Sequence, residues 1–117
     1  MTPLALTMGD PAGIGGEITL KAWRALQGDK TAPAFFLIGD ADHLQAVSKN
    51  SGISVPLEII DAPFQAAGVF ASALPVLHRP LGVKVVAGTP DPGTAEAVLG
   101  SIETAVRLVE AGEAAAV

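Results

Sequence analysis

The sequence predicts an α/β fold: a mainly parallel sheet with flanking helices. Three observations carry this. Short apolar strand patterns alternate with helical periodicity, the order expected of βαβ units. The run Ala34-Phe35-Phe36-Leu37-Ile38 is continuously apolar, as a central strand covered on both faces requires. The strand pattern Leu4-Ala5-Leu6 passes through a glycine-rich junction straight into a helical pattern.

The elements follow in order. Leu4 to Met8 reads as the first strand. A helix from Gly15 or Gly16 to about Leu26 carries Ile14, Ile18, Ala22 and Ala25 on one face, with Glu17 and Lys21 at the favourable i,i+4 spacing. Gln27-Gly28-Asp29 ends it. The second strand runs into Gly39-Asp40, and Asp40 or Asp42 can cap a helix through about Asn50. Leu57 to Ile60 is the third strand. Prolines at 56, 63, 75, 80, 90 and 92 then predict a loop-rich middle, with short strands near Pro75–Leu77 and Val83–Ala87. Thr94 to Glu110 is helical, capped by Gly93 or Thr94. Its apolar stripe is Val98, Ile102, Ala105, Val106 and Val109, opposite Glu96, Glu103, Arg107 and Glu110. Gly112 stops this helix, and Ala114-Ala115-Ala116-Val117 reads as the start of a further strand.

A chain of 117 residues is one domain at most, and half of its residues are hydrophobic, enough for a workable core. Charged residues make up only 16%, which predicts that some apolar surface meets a partner or a further segment. The net charge is −5, the seven basic residues are scattered, and stacking aromatics are few, which argues against a nucleic-acid partner. The absence of cysteine removes disulfides, thiolate metal sites and cysteine nucleophiles and accords with a cytoplasmic location. No apolar stretch approaches the roughly 18 residues of a membrane span, so no membrane partner is expected.

Candidate chemistry is concentrated at Gly9, Asp10, Pro11, Ala12, Gly13, Ile14 and Gly15. Glycine at a strand-to-helix junction lets a ligand approach bare backbone, and the following helix presents unpaired N–H groups and its positive dipole end. The spacing is neither the dinucleotide fingerprint, since Ile18 stands where a third glycine belongs, nor a P-loop. Asp10 has two readings: it orients the loop or a cofactor group, or it forms a turn whose side chain caps the following N–H groups. Its charge opposes simple phosphate binding, so the loop reads as a cleft wall. Glu17 suits the first helical turn or a domain-closure contact.

Elsewhere the inventory is thin. His43 follows a helix cap and reads as solvent-exposed or lightly capping, and His78 reads as a hydrogen-bonded loop residue or a site residue. Two histidines cannot build a three-histidine metal site. Asp61, Asp91 and Glu96 show no acid/base spacing, and none of the serines sits in a nucleophile elbow. Trp23 reads as a packing anchor, against a neighbouring domain if one is present. No catalytic or metal-ligating residue is assigned within the chain.

The full string Gly9-Asp10-Pro11-Ala12-Gly13-Ile14-Gly15, followed by Glu17, is far more specific than its glycines. It resembles the N-terminal signature of the 4-hydroxythreonine-4-phosphate dehydrogenase family, within the isocitrate/isopropylmalate dehydrogenase superfamily. Gly16 stands where members usually have proline, a mild departure expected to cost helix propensity. The resemblance covers all 117 residues and implies an N-terminal portion, residues 1–117, of a larger two-domain α/β enzyme, truncated at the start of a strand. It implies NAD and a divalent metal ion as cofactors, a phosphorylated small-molecule substrate and a homodimer. The implied reaction is oxidation with decarboxylation of 4-hydroxythreonine 4-phosphate in vitamin B6 biosynthesis. The family's metal-binding histidines and substrate contacts lie beyond position 117, so the fragment alone is expected to be inactive. Two alternatives remain: a paralogous dehydrogenase of another phosphorylated hydroxy acid or an aromatic cis-diol, and a complete non-catalytic small-ligand-binding or interaction module.

Overall fold

A computed structural model describes residues 2–117. Strands β1 (Leu4–Thr7), β2 (Phe35–Gly39), β3 (Leu57–Ile60) and β4 (Leu74–His78) form one sheet in the order β1-β2-β4-β3. Every pairing is parallel, with Leu4 opposite Phe35, Leu37 opposite Val76 and Leu57 opposite Leu74. The helices are α1 (Gly15–Leu26), α2 (Ala41–Ser51), the single turn α3 (Ala66–Val69) and α4 (Ala95–Glu110). Short 3-10 turns at Pro63–Gln65 and Pro92–Thr94 lead into α3 and α4.

The strand period of two divides the core into two layers. Phe35, Leu37, Leu74 and Val76 join Leu20, Trp23 and Leu44 of α1 and α2 on one face. Phe36, Ile38 and Leu77 join Ala66 and Ala105 of α3 and α4 on the other. β2 is buried at all five positions, which is why its sequence shows no alternation. The prolines do not make the whole middle of the chain loop. β4 takes an interior place with Pro75 fully buried, because registered pairing with β2 starts one residue later, at Val76. The missing N–H therefore falls at the end of that ladder.

Several expectations are corrected. Val83–Ala87 is not a strand; Val86 and Thr89 form an isolated bridge around a turn with Gly88 at φ 77°. Ala114–Val117 forms no strand, although Ala115 N–H donates to Pro3 O and Ala116 O accepts from Ala5 N–H along the outer edge of β1. On α1 the buried face is Thr19, Leu20 and Trp23, while Ile14 and Ile18 are 69% and 54% exposed and Ala25 is exposed. The helix turns this way because Trp23 serves its own core. Its Nε1–H donates to Phe70 O at 2.8 Å, and Phe70 meets Phe35 edge-on at 4.9 Å. No neighbouring domain is needed to explain Trp23. On α4 the buried residues are Ser101, Thr104 and Ala105, so the sheet-facing side is rotated away from Ile102 and Val106. Ser101 causes this: its Oγ donates to Ile38 O at 2.8 Å and accepts from Met8 N–H at 3.4 Å, fastening α4 across the ends of β1 and β2.

Gly16 has a packing role that its helix propensity conceals. A Cβ there would lie 3.3 Å from Val47 Cγ1 and 3.6 Å from Leu44 Cδ1, so glycine lets α1 approach α2 closely.

Candidate functional site

The carboxyl ends of parallel strands form the crest where α/β proteins bind ligands. Here that crest holds the Gly9–Gly15 loop after β1, Asp40 after β2 and His78 within the end of β4. All the residues singled out in the glycine-rich loop are continuous in this one feature. Gly9 has φ 62°, a conformation that favours glycine. Asp10 Oδ1 accepts from Ala12 N–H at 2.9 Å, and Asp10 O accepts from Gly13 N–H at 2.9 Å. Asp10 is thus the turn former, with its remaining oxygen at an exposed position. A Cβ on Gly13 would lie 3.3 Å from Asp10 O, so a side chain there would press on the turn. Pro11 and Ala12 are buried beneath the loop. Ile14 occupies the N-cap position of α1 and offers no capping side chain.

A cavity of about 170 Å³ lies beside the loop, bounded by Gly13, Glu17, His43, Asn50, Val85 and Ala87. A smaller void between Met8, Gly16, Asp40 and His43 adjoins the same wall. The 86–89 turn is tied to the loop by Gly88 N–H donating to Ala12 O at 2.9 Å. His43 is half-buried and borders both spaces, so the reading of an exposed or lightly capping histidine is corrected. Its i,i+3 step from Asp40 is what brings it to the wall.

Asp40 organises this crest. Its Oδ1 accepts from Asp42 N–H at 2.9 Å and His43 N–H at 3.1 Å, capping α2. Its Oδ2 accepts from Leu81 N–H at 2.9 Å, tying the chain after β4 to the start of α2. Burial pushes the Asp40 carboxyl up, but the N–H groups of Leu81, His43 and Asp42 outweigh it and hold the carboxyl below its ordinary value. His78 Nδ1 accepts from Ala41 N–H at 3.0 Å, so this nitrogen carries no proton in that bond. His78 is therefore a hydrogen-bonded crest residue. The capping role of Asp40 was readable from sequence; its reach of 41 residues to Leu81 left no local signal.

Among the described residues no group of three or more His, Asp or Glu side chains could hold a metal ion. The chain's own residues therefore do not fit a divalent-metal centre. The 170 Å³ cavity is also smaller than the roughly 300 Å³ at which enclosed ligand sites begin, so the loop supplies a wall and does not envelop a dinucleotide. Asp61 and Asp91 lie away from this wall. Asp61 N–H donates to Gln65 Oε1, and Asp91 Oδ1 accepts from Gly93 N–H at 2.7 Å, shaping the turn before α4.

A parallel sheet flanked by helices, with a glycine turn at its crest, defines an open α/β fold. The chain superposes with a TM-score of 0.80 on the crystal structure of 4-hydroxythreonine-4-phosphate dehydrogenase from Klebsiella pneumoniae, at 30% identity, covering 97% of this chain and 35% of that one. A terephthalate 1,2-cis-dihydrodiol dehydrogenase from Burkholderia xenovorans shares the fold, with a TM-score of 0.66 and 22% identity over 97% of this chain and 31% of that one. In sequence the chain is 52% identical over 117 residues to 4-hydroxythreonine-4-phosphate dehydrogenase of Methylorubrum populi, covering 98% of this chain and 33% of the relative. It is 46% identical over 114 residues to the enzyme of that name from Xanthobacter autotrophicus, covering 97% of this chain and 32% of the relative. No protein-family model matches the chain. The chain belongs to the 4-hydroxythreonine-4-phosphate dehydrogenase family, and it spans about a third of the length of the relatives it matches. No helix among the described residues is long and apolar enough to cross a membrane.

Proposed function

We propose that this chain forms part of a larger two-domain enzyme that oxidises and decarboxylates 4-hydroxythreonine 4-phosphate, using NAD and a divalent metal ion, in vitamin B6 biosynthesis. The observation that carries the reading is the 52% identity to a relative of that name, sustained over 117 residues. The Gly9–Gly15 loop is the part of the site this chain supplies. Gly9 and the Asp10 turn hold a bare backbone edge at the crest, and Glu17 and His43 flank it. In the assembled enzyme NAD would supply the hydride acceptor, and a divalent metal held by residues outside this chain would supply positive charge for a developing alkoxide. Ligands for that metal must come from residues outside this chain, as must the contacts to the substrate phosphate. The assembled enzyme is proposed to be a homodimer acting in the cytoplasm.

The test has two parts. The purified 117-residue chain, given NAD, metal and 4-hydroxythreonine 4-phosphate, is expected to produce no NADH. In a family-length enzyme carrying this chain's sequence, Asp10→Ala and Gly13→Val are expected to lower kcat/KM more than His43→Ala does. NADH production by the chain alone, or equal kinetics for all three variants, overturns the assignment.

A further inference from the structure

Helix α4 carries more apolar surface than the sheet covers. Ala105 is fully buried against the sheet, with Leu108 and Val109 packed around it. Beyond that contact lie Ala95, Leu99, Ile102 and Val106, spaced i, i+4, i+7 and i+11, the pattern of one continuous helical stripe. Leu99 is 60% exposed, Ile102 43% and Val106 44%. The stripe exists because Ser101 holds the helix rotated, with polar Ser101 and Thr104 facing inward. A helix needs only one apolar face to dock on its own sheet. Three adjacent large aliphatic side chains on a second face therefore point to a second contact.

Two features bear on the identity of that contact. The relatives that match 98% of this chain continue for about twice its length outside the match, since the match is 33% of the relative. The stripe lies on the solvent side of an element that this match includes. Its far edge carries Glu103, Arg107 and Glu110 in one line at i, i+4 and i+7, so that margin holds charges of both signs. Resting on the reading of the chain as part of a larger enzyme, we infer that the Leu99–Ile102–Val106 face of α4 is the seat on which the remaining part of a family-length polypeptide packs. The element that covers it presents an apolar face bordered by polar groups that can meet both the carboxylates and Arg107.

The chain has no cysteine, so Leu99→Cys or Ile102→Cys gives a single reactive thiol, with Gln45→Cys on exposed α2 as the reference. Each variant is made in the 117-residue chain and in a chimera in which this chain replaces the matched third of the Methylorubrum populi relative. Maleimide labelling is followed at the peptide level. In the chain alone, the Leu99→Cys and Ile102→Cys variants are expected to label as fast as the Gln45→Cys reference. In the chimera they are expected to label at least about 100-fold more slowly than that reference, as a locally closed surface requires. Unslowed labelling in the chimera overturns the inference, whether the chimera is folded or not. Slow labelling in the chain alone that rises in protection with concentration assigns the face to a second copy and also overturns it. Dehydrogenase turnover is measured on the same chimera. Protection without turnover keeps this inference and removes the proposed function; turnover without protection does the reverse.

Discussion

Removing the Asp40 carboxylate should loosen two elements at once. One oxygen caps α2 through Asp42 and His43, and the other accepts from Leu81 N–H. Loss of an N-cap costs about 0.5–2 kcal/mol. Leaving the Leu81 N–H, at a buried residue, without its acceptor costs about 1–3 kcal/mol. Asp40→Ala should therefore lower stability by about 2–4 kcal/mol, a large share of the 5–15 kcal/mol typical of a domain. Asp40→Asn separates the two terms, because its carbonyl can still cap α2 while its amide cannot accept from Leu81. It should cost about half as much as the alanine variant, within the roughly 1–3 kcal/mol of the lost acceptor. The assay is urea denaturation followed by far-ultraviolet circular dichroism at several pH values. The sign of the pH effect follows from the lowered folded-state pKa, against an ordinary value of 3.8. A depressed carboxylate contributes stability that is present above the unfolded pKa and is lost as pH falls through the folded one. The gap between the parent chain and Asp40→Asn should be constant near neutrality and narrow only below about pH 4. Equal losses for alanine and asparagine, or a gap that persists unchanged at low pH, would refute the two-oxygen account.

Two further outcomes are expected. Trp23→Phe keeps most of the ring but leaves Phe70 O without its 2.8 Å donor, so it should lower stability by about 1–3 kcal/mol in thermal melts, whereas Arg24→Ala on the exposed side of α1 should change it by less than about 0.5 kcal/mol. Gly9→Ala places a Cβ at φ 62° and should cost about 1–2 kcal/mol although nothing lies within 4 Å of that position, while Gly28→Ala, equally uncrowded and without positive φ, should be neutral or slightly stabilising in the same melts.

The parts of the fold that sequence made legible are those in which a local pattern has one physical cause. Phe35 to Ile38 is apolar throughout because both faces of β2 are covered, and Asp40 caps α2 because a carboxylate at that place finds two free N–H groups. The glycine loop was legible for a related reason: positive φ at Gly9 and the Asp10 turn are local geometry written in residue type. Element order was readable too, but the orientation of α1 and α4 was not. Hydrophobic periodicity assigned the inward face of α4 to Ile102 and Val106, whereas long-range bonds from Ser101 to β1 and β2 fixed the rotation. A side chain that bonds across 63 residues leaves no trace in a local sequence window. The same blindness hid Asp40's second partner and the place of His43 at the cavity wall.

Those failures share a cause that bears on function. A periodicity reading assumes that the largest apolar side chains face the chain's own core. In α4 that assumption breaks, since Leu99, Ile102 and Val106 are left exposed while Ser101, Thr104 and Ala105 face inward; α1 buries its large Leu20 and Trp23 but leaves Ile14 and Ile18 exposed as well. The internal packing is nonetheless satisfied, since Trp23 and Ser101 each find a buried partner and no buried side-chain polar atom among the described residues lacks one. The exposed aliphatic faces are therefore not the mark of a badly matched core. They are surplus to it, as expected where one sequence must serve an internal core and a second contact at the same time.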